Sequence, residues 1–498
     1  MKVLLVYPAP PRTHWPRGGF RSRWTPTGLM SLAAVLRRAG HAVKIHVREE
    51  HLMKLDFDWP AADALLRRTI EDYRPDMVGL SAVTPGLPEA QTIAAWAKEI
   101  CGRQTITIVG GPHPSALPEQ TLEECPDIDA AAVGEGESAI VTVAESGLRE
   151  GIAGLAMRLD GRIVPPLPPR PVVADLDSLP ETPYDLLDMD FYTQRSRFLI
   201  RWLDVRATNI RTSRGCTHAC GFCGGHLVAG VGVRTHSLDR VMAQVRLACE
   251  KFGVEAVHFE DDTLGAQPER LMELCERLRQ GGLAERLKWD CCLRVDQADA
   301  RLLAAMKSAG CVQVEYGFES GSDASLGALG KATSAELNRR AVELTRQARL
   351  RVFADIMVAL PGQTQADFQA TERFLRWGRP EVVSAVRLAP LPGTAVYNRL
   401  PEALRRALRW EDLAYFDLPE VKLNLTAMSD ERLARLWRRF SRYYVRPVTL
   451  KGLLRDCCEG DVEGRRRLGR RWRSFCLRHP LRAISLSRKK GTDSFFAV

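Results

Sequence analysis

The sequence predicts an α/β protein with two parallel sheets and a helical C-terminal part. Three observations lead there. Short apolar runs alternate with amphipathic helical stretches over residues 1 to about 145. The same alternation returns from about 205 to 400. A proline-dense segment, residues 161–171, lies between them. Alternating strand and helix signals are the pattern of βαβ units. The chain therefore divides into a first domain, 1–148, a connector, 149–204, a second domain, 205–400, and a basic helical region, 401–498.

The first domain opens on Lys2-Val-Leu-Leu-Val-Tyr7, an apolar run of the kind buried on both faces of a parallel sheet. A loop rich in Pro, Arg and Gly follows to Thr25, and Pro26–Gly40 reads as an amphipathic helix closed by glycine. His41–Val47, Asp76–Val83, Thr105–Gly111 and Asp129–Gly136 read as further strands. These elements predict an open, doubly wound parallel sheet, whose ligand belongs beyond the carboxyl ends of the strands. Three features stand there: the 8–25 loop with His14, Ser81-Ala-Val-Thr84, and Gly110-Gly111-Pro-His-Pro114. Small residues at strand ends let a bulky ligand approach the backbone. Taken singly, each is ordinary turn chemistry.

In the second domain, Ala207–Gly215 reads as a strand ending at a glycine, and Cys216-Thr-His-Ala-Cys220-Gly-Phe-Cys223 follows it. Three cysteines thus sit on a loop at a strand's carboxyl end, where α/β barrels carry their chemistry. Thiolates suit iron–sulfur clusters, zinc or copper(I). A [4Fe–4S] cluster usually takes four cysteines, so three from one loop would leave one iron open. A zinc site with His218 or His226 as fourth ligand is the competing reading, but zinc motifs usually come as two separated pairs. Downstream strands are read at Glu255–Glu260, Lys288–Arg294, Cys311–Gly317, Arg351–Leu360 and Val383–Leu388. With the cysteine strand they make six βα units, too few for a closed eightfold barrel. Their ends carry Glu260-Asp261-Asp262, Arg294 and Glu319-Ser320. Alone, Glu260 and Arg294 could be a buried ion pair and Glu319 a helix cap; their common address favours a site.

Composition bounds the rest. Hydrophobic residues at 45% and charged residues at 27% are those of a soluble globular protein. No run of 18 apolar residues predicts a membrane span. Only about five apolar residues precede Pro8, too few for a signal-peptide core, so a cytoplasmic protein is expected. Thirteen cysteines, an odd number, fit reduced thiols. The net charge of +10 is uneven: residues 432–498 hold 19 Lys/Arg against 5 Asp/Glu, so the remainder is acidic. Glu431–Tyr444 shows apolar residues at helical spacing between arginines. It reads first as a helix capping the barrel with a solvated basic face, and second as a surface for anionic lipid or nucleic acid.

The octet Cys216–Cys223, with Phe222 before its last cysteine, resembles the signature of radical S-adenosylmethionine (SAM) enzymes. Ser81, with Thr84 close by, and the Gly110-Gly111 pair resemble the cobalamin-binding fold, and Gly134-Glu-Gly-Glu137 is typical of that domain when fused to a radical SAM barrel. The second domain resembles the family's open six-unit barrel. Met357–Gln363 resembles its fifth-strand motif, with Ala359 and Gln363 replacing the usual Gly and Glu. The resemblance implies a [4Fe–4S] cluster on Cys216, Cys220 and Cys223. It places SAM against Phe222, Glu260, Asp261, Arg294, Glu319 and Ser320, with Arg294 on the SAM carboxylate. It places cobalamin against Ser81, Thr84, Gly110, Gly111 and Gly134. His14 is implied as lower cobalt ligand, although the family's Asp is missing and its Gly stands one residue late; a solvated loop histidine is the competing reading. The implied activity is methylation of an unactivated carbon of a small molecule (a lipid, tetrapyrrole or secondary metabolite) through a 5′-deoxyadenosyl radical, with a flavodoxin- or ferredoxin-type electron donor. A cyclase or rearrangement enzyme with the same cofactors is the first alternative. An RNA-modifying methylthiotransferase would carry three N-terminal cysteines, where this chain has Cys101 and Cys125. A cobalamin carrier would not need the octet. Nucleic acid is not expected as a partner; peripheral membrane contact through the basic C-terminal region is the second reading of that region, after the barrel-capping helix.

Overall fold

The computed structural model describes residues 1–9, 23–168, 170–201, 203–414 and 423–440. His14 and the basic stretch after 440 lie outside the described residues. Among the described residues no helix is long and apolar enough to cross a membrane.

The first sheet contains β1 (Lys2–Tyr7), β2 (Ala42–Val47), β3 (Met77–Ser81), β4 (Ile106–Gly110), β5 (Ala130–Ala132), β6 (Leu155–Leu159) and β7 (Arg162–Val164). Its order is β2-β1-β3-β4-β5-β6-β7, with β1 to β5 parallel. The order reverses between β1 and β3, which makes their carboxyl ends the switch point where such sheets bind ligands. Alternate residues of β1 feed two cores. Val3 and Leu5 pack with Leu29, Ala33 and Leu36 of helix α1 (Thr27–Arg38), and Leu4 and Val6 pack with Ile70, Ile93 and Ala94.

Two departures from the sequence reading lie here. The fifth strand is only three residues, because Gly134 adopts φ +84 and ends it. The proline-dense segment 161–171, whose composition reads as extended, begins instead within a hairpin: β6 and β7 pair antiparallel, next to β5. Its turn is Asp160-Gly161, with φ of +47 and +76, the left-handed pair that a two-residue hairpin requires. The prolines from 165 onward masked this Asp-Gly signal.

The second sheet contains β8 (Arg195–Ser196), β9 (Val205–Ile210), β12 (Ala256–Phe259), β13 (Lys288–Leu293), β14 (Cys311–Glu319), β15 (Arg351–Val358) and β16 (Val382–Arg387). Its order is β16-β15-β14-β13-β12-β9-β8. All neighbours from β9 to β16 are parallel, and β8 is antiparallel to β9. A separate small hairpin joins β10 (Ser213–Arg214) and β11 (Arg234–Thr235). Six parallel strands form the open barrel the sequence predicts. Val257, Phe259, Trp289, Cys291, Val314, Tyr316 and Phe318 face the helices. The alternate residues are polar: His258 Nδ1 lies 2.9 Å from Asp290 Oδ1, and Gln313 Nε2 donates to Asp290 Oδ2 at 2.9 Å.

The helix Asp430–Phe440 caps this barrel. Leu433, Leu436, Trp437 and Phe440 are buried, and Phe440 meets Phe368 edge-on with ring centroids 5.3 Å apart. Its apolar stripe therefore serves the barrel core, as the first sequence reading expects. The two sheets also meet through Trp24–Thr27, at the start of α1. Thr25 donates to Asn209 Oδ1 from its backbone N–H and its hydroxyl, both at 2.8 Å. Thr27 Oγ1 donates to Glu260 at 3.2 Å, and Trp24 stands edge-on to His258.

Candidate active site

The cysteine loop is closed by the β10–β11 hairpin. Gly215 takes φ +89 with its Cα against the Gly232 carbonyl, a position that leaves no room for a side chain. Gly232 N–H donates to the Cys216 carbonyl at 3.0 Å. The loop's middle is clamped from both sides: Gly221 N–H donates to the Leu329 carbonyl at 3.0 Å, and Val396 N–H donates to the Gly221 carbonyl at 2.9 Å. Phe222 packs on Leu329, Leu360, Leu388 and Val396, so the aromatic residue of the octet anchors the loop.

The strand ends deliver the acidic and basic groups. Glu260 accepts from Asn209 Nδ2 at 2.8 Å and Arg211 at 3.0 Å. Asp262 accepts from the Gly215 N–H at 3.0 Å. Asp261 departs from the sequence reading. It is buried and accepts from Thr212 N–H, Thr212 Oγ1 and Ser213 N–H at 2.6–2.8 Å, so it ties β12 to the start of the cysteine loop instead of facing a ligand. Glu319 is buried in an ion pair with Lys331 at 2.6 Å, and Ser320 Oγ lies 3.1 Å from Thr371 Oγ1. Glu319 stands beside the cysteine loop, since the Lys331 ammonium also lies 5.9 Å from the Phe222 ring.

A cavity of about 740 Å³ joins the two sheets' strand ends. Ser81, Thr84, Gly110, Gly111 and Gly134 line it from the first sheet, and Glu260, Asp262, Gly224 and Gly225 from the second. Cys216, Cys220, Cys223, Phe222, Asp261, Arg294, Glu319 and Ser320 are not in its wall. Gly111 adopts φ +111, and a Cβ there would stand 2.8 Å from the Ala82 carbonyl oxygen. The wall is thus backbone where a large ligand must come close.

Comparison with known proteins agrees with this layout. Residues 18–144 match the B12 binding domain and residues 210–375 match the Radical SAM superfamily. An uncharacterized methyltransferase of Pyrococcus horikoshii is 30% identical, over 92% of this chain and 95% of its own. The chain belongs to the cobalamin-binding radical SAM enzymes. An anaerobic magnesium-protoporphyrin IX monomethyl ester cyclase of Cereibacter sphaeroides is 24% identical, over 80% of this chain and 64% of its own. The radical SAM methyltransferase TsrM of Kitasatospora setae, solved with tryptophan and a SAM analogue, shares the fold with TM-score 0.62. It is 18% identical, over 79% of this chain and 75% of its own. The cofactors of this radical SAM enzyme are a [4Fe–4S] cluster, SAM and cobalamin.

The residues present fit these groups. Burial pushes the Cys223 thiol up, the Gly225 N–H partly offsets this, and Cys220, Asp262 and Cys216 push it further, so the three cysteines lie close enough to feel one another. A tetrahedral zinc with Zn–S near 2.3 Å would hold its sulfurs only about 3.8 Å apart. Among the described residues, the group whose ligand atoms all lie within 4.8 Å of one another is His258, Asp290 and Glu315, not the cysteines. A wider spread suits three different irons. On the cobalamin side, His113 is a residue the sequence reading passed over. Its Nδ1 lies 3.2 Å from Thr84 Oγ1, and its buried Nε2 has no hydrogen-bond partner among the described residues. Burial pushes this imidazole down to about 4, so it is neutral and orients the Thr84 hydroxyl.

Glu135 and Glu137 of the Gly-Glu-Gly-Glu stretch hold the radical SAM loop to the first sheet. Glu135 pairs with Arg234 at 2.8 Å and Arg214 at 3.1 Å, and Glu137 pairs with Arg214 at 2.7 Å. Burial pushes the Glu135 carboxyl up, but Arg234, the Val173 N–H and Arg214 outweigh it and leave it below the usual range. Its contribution to stability is therefore complete above about pH 4.3, the unfolded value, and is lost as pH falls through the lower folded one. Glu135→Gln should destabilise the neutral protein by about 1–3 kcal/mol. The gap between the two melting curves should close as pH drops below about 4. A gap that stays constant from pH 7 to pH 3.5 would refute this role.

The fifth-strand motif has a further consequence. Ala359 adopts φ +61, which its sequence counterpart glycine would take without strain. Gln363 Oε1 accepts from the Ala359 and Leu360 N–H groups at 3.1 and 3.4 Å and holds the turn. A left-handed L-residue costs about 1–2 kcal/mol, offset by the extra unfolded freedom of glycine, about 0.4–1 kcal/mol. Ala359→Gly should raise the apparent unfolding midpoint by about 1–2 °C; a lowered midpoint contradicts the account.

Proposed function

We propose that this chain is a cobalamin-dependent radical SAM methyltransferase that methylates an unactivated carbon of a small molecule. The observation carrying this reading is a cavity with cobalamin-type strand ends on one wall and Gly215, Gly224 and Gly225, which flank the cysteine octet, on the other. When bound, the reduced cluster and SAM supply a 5′-deoxyadenosyl radical, and cobalamin supplies the methyl group. In this reading residues 1–148 bind cobalamin, 149–204 connect, 205–400 form the radical SAM barrel, and 401–498 form a basic helical region.

In this reading Cys216, Cys220 and Cys223 ligate the cluster, and Phe222 fixes their loop. Glu260 and Asp262 present carboxylates to the SAM ammonium, a charge-assisted contact. Ser81, Gly110, Gly111 and Gly134 give the cobalamin tail a backbone-lined channel, with Thr84 oriented by His113. The substrate enters the same cavity, where both walls exclude water from the reacting carbon. The reductant is an external flavodoxin- or ferredoxin-type carrier. Peripheral membrane contact is assigned in this reading to the basic C-terminal region, from Arg432 onward.

A cyclase reading with the same cofactors is kept because the magnesium-protoporphyrin cyclase is among the relatives. Deuterated SAM methyl decides between them. Metabolites from a strain with the gene should carry the labelled methyl, with one deoxyadenosine and one S-adenosylhomocysteine formed per turnover. An unlabelled product of changed hydrogen count would establish the cyclase instead.

A further inference from the structure

We propose that Arg294 sets the reduction potential of the cluster through Cys220, and does not grip the carboxylate of SAM. The inference rests on the cluster reading above. Arg294 follows β13 and is 8% exposed. Its guanidinium is almost fully committed. Nε donates to Asp296 Oδ1 at 3.1 Å, and NH2 donates to Asp296 Oδ2 and to the Lys331 carbonyl, both at 3.3 Å. NH1 points at Cys220 Sγ from 3.6 Å, an ordinary distance for a donor to the larger sulfur atom.

A two-pronged grip on a carboxylate needs two parallel N–H groups on one edge of the fork. The Nε–NH2 edge already holds Asp296 in that geometry. The NH1–NH2 edge has lost both NH2 hydrogens to Asp296 and Lys331. What remains is NH1, and it is aimed at a cluster ligand. Asp296 holds the fork from the rim, its side chain 36% exposed, with His218 Nε2 3.9 Å away. Hydrogen bonds to the sulfurs are one of the levers that set iron–sulfur potentials. A donor with positive charge draws electron density from the thiolate and favours the reduced, more negative cluster. Each radical begins with that reduction, so Arg294 would make the cluster easier for its donor to charge.

The test uses the full-length protein, reconstituted anaerobically with iron and sulfide. Iron and sulfide are measured first. Wild type without about four of each ends the cluster reading itself and is separate from the outcome below. The midpoint potential is then measured by electron paramagnetic resonance during a redox titration, and SAM affinity by equilibrium dialysis. Arg294→Gln should make the cluster about tenfold harder to reduce, about 59 mV for one electron, while SAM affinity changes by less than about threefold. An unchanged potential with SAM binding weakened tenfold or more overturns the proposal and restores the carboxylate grip. Should Arg294→Gln fail to take up iron, Asp296→Asn is measured instead. That variant leaves the guanidinium charge uncompensated and should raise the potential; no rise overturns the proposal.

Discussion

Cys220→Ala is expected to abolish the radical chemistry altogether, with 5′-deoxyadenosine formation falling by more than about a thousandfold. Two thiolates from this loop do not hold a cluster that already lacks a fourth cysteine. The loop itself should survive. Its shape rests on the β10–β11 hairpin, on Gly232 bonded to Cys216, and on Gly221 held between Leu329 and Val396, all through backbone groups. Cys220 contributes a sulfur and no part of that frame. Circular dichroism should therefore match wild type while the iron content drops. Continued cleavage of SAM by an alanine variant with full iron content would remove Cys220 from the ligand set.

The second large effect concerns the first sheet. Gly110 ends β4 and lines the cavity, and a Cβ there would meet only Ala132 Cβ, at an ordinary 3.7 Å. A leucine fits the backbone at this position and projects into the ligand's space. Gly111 is a poorer probe, because even an alanine collides with Ala82 and adds left-handed strain. Gly110→Leu should weaken cobalamin retention by at least about a hundredfold, some 2.7 kcal/mol, while the iron content stays at the wild-type level. Gel filtration with added hydroxocobalamin reads the result in the visible spectrum. Stoichiometric retention by the leucine variant would move the tail channel elsewhere. Some uncoupled deoxyadenosine should still form, since the cluster wall is untouched.

Much of this site is legible in the sequence because its parts are local. The cysteine spacing, the Gly-Gly pair and the ends of β12, β13 and β14 are each written within a few residues, and strand periodicity assigns them an address. What the sequence conceals is direction and distance. Glu260, Asp261 and Asp262 are three adjacent carboxylates, and only packing decides that the middle one turns inward onto Thr212 and Ser213. Arg294 stands at the expected strand end, yet Asp296, two residues on, already occupies its fork. Lys331 has no motif to announce it, and reaches Glu319 from the far side of a short helix. The β6–β7 hairpin was readable from Asp160-Gly161 but sat beside a louder proline signal.

The contacts of Trp24–Thr27 carry a consequence for how the chain is made. Thr25 and its partner Asn209 are 184 residues apart. Strands β1 to β5 and their helices are complete well before that partner exists. At a synthesis rate of 5–20 residues per second, Thr25 waits about 10–40 s with its donors turned to solvent. From the completion of β7 at Val164 until His258 is made, Trp24 stands at the edge of a finished sheet with its own docking surface still untranslated. The barrel-facing rim of the first domain therefore stays uncovered through that period. The nascent chain is most open to misassociation between the emergence of β5 and that of β12.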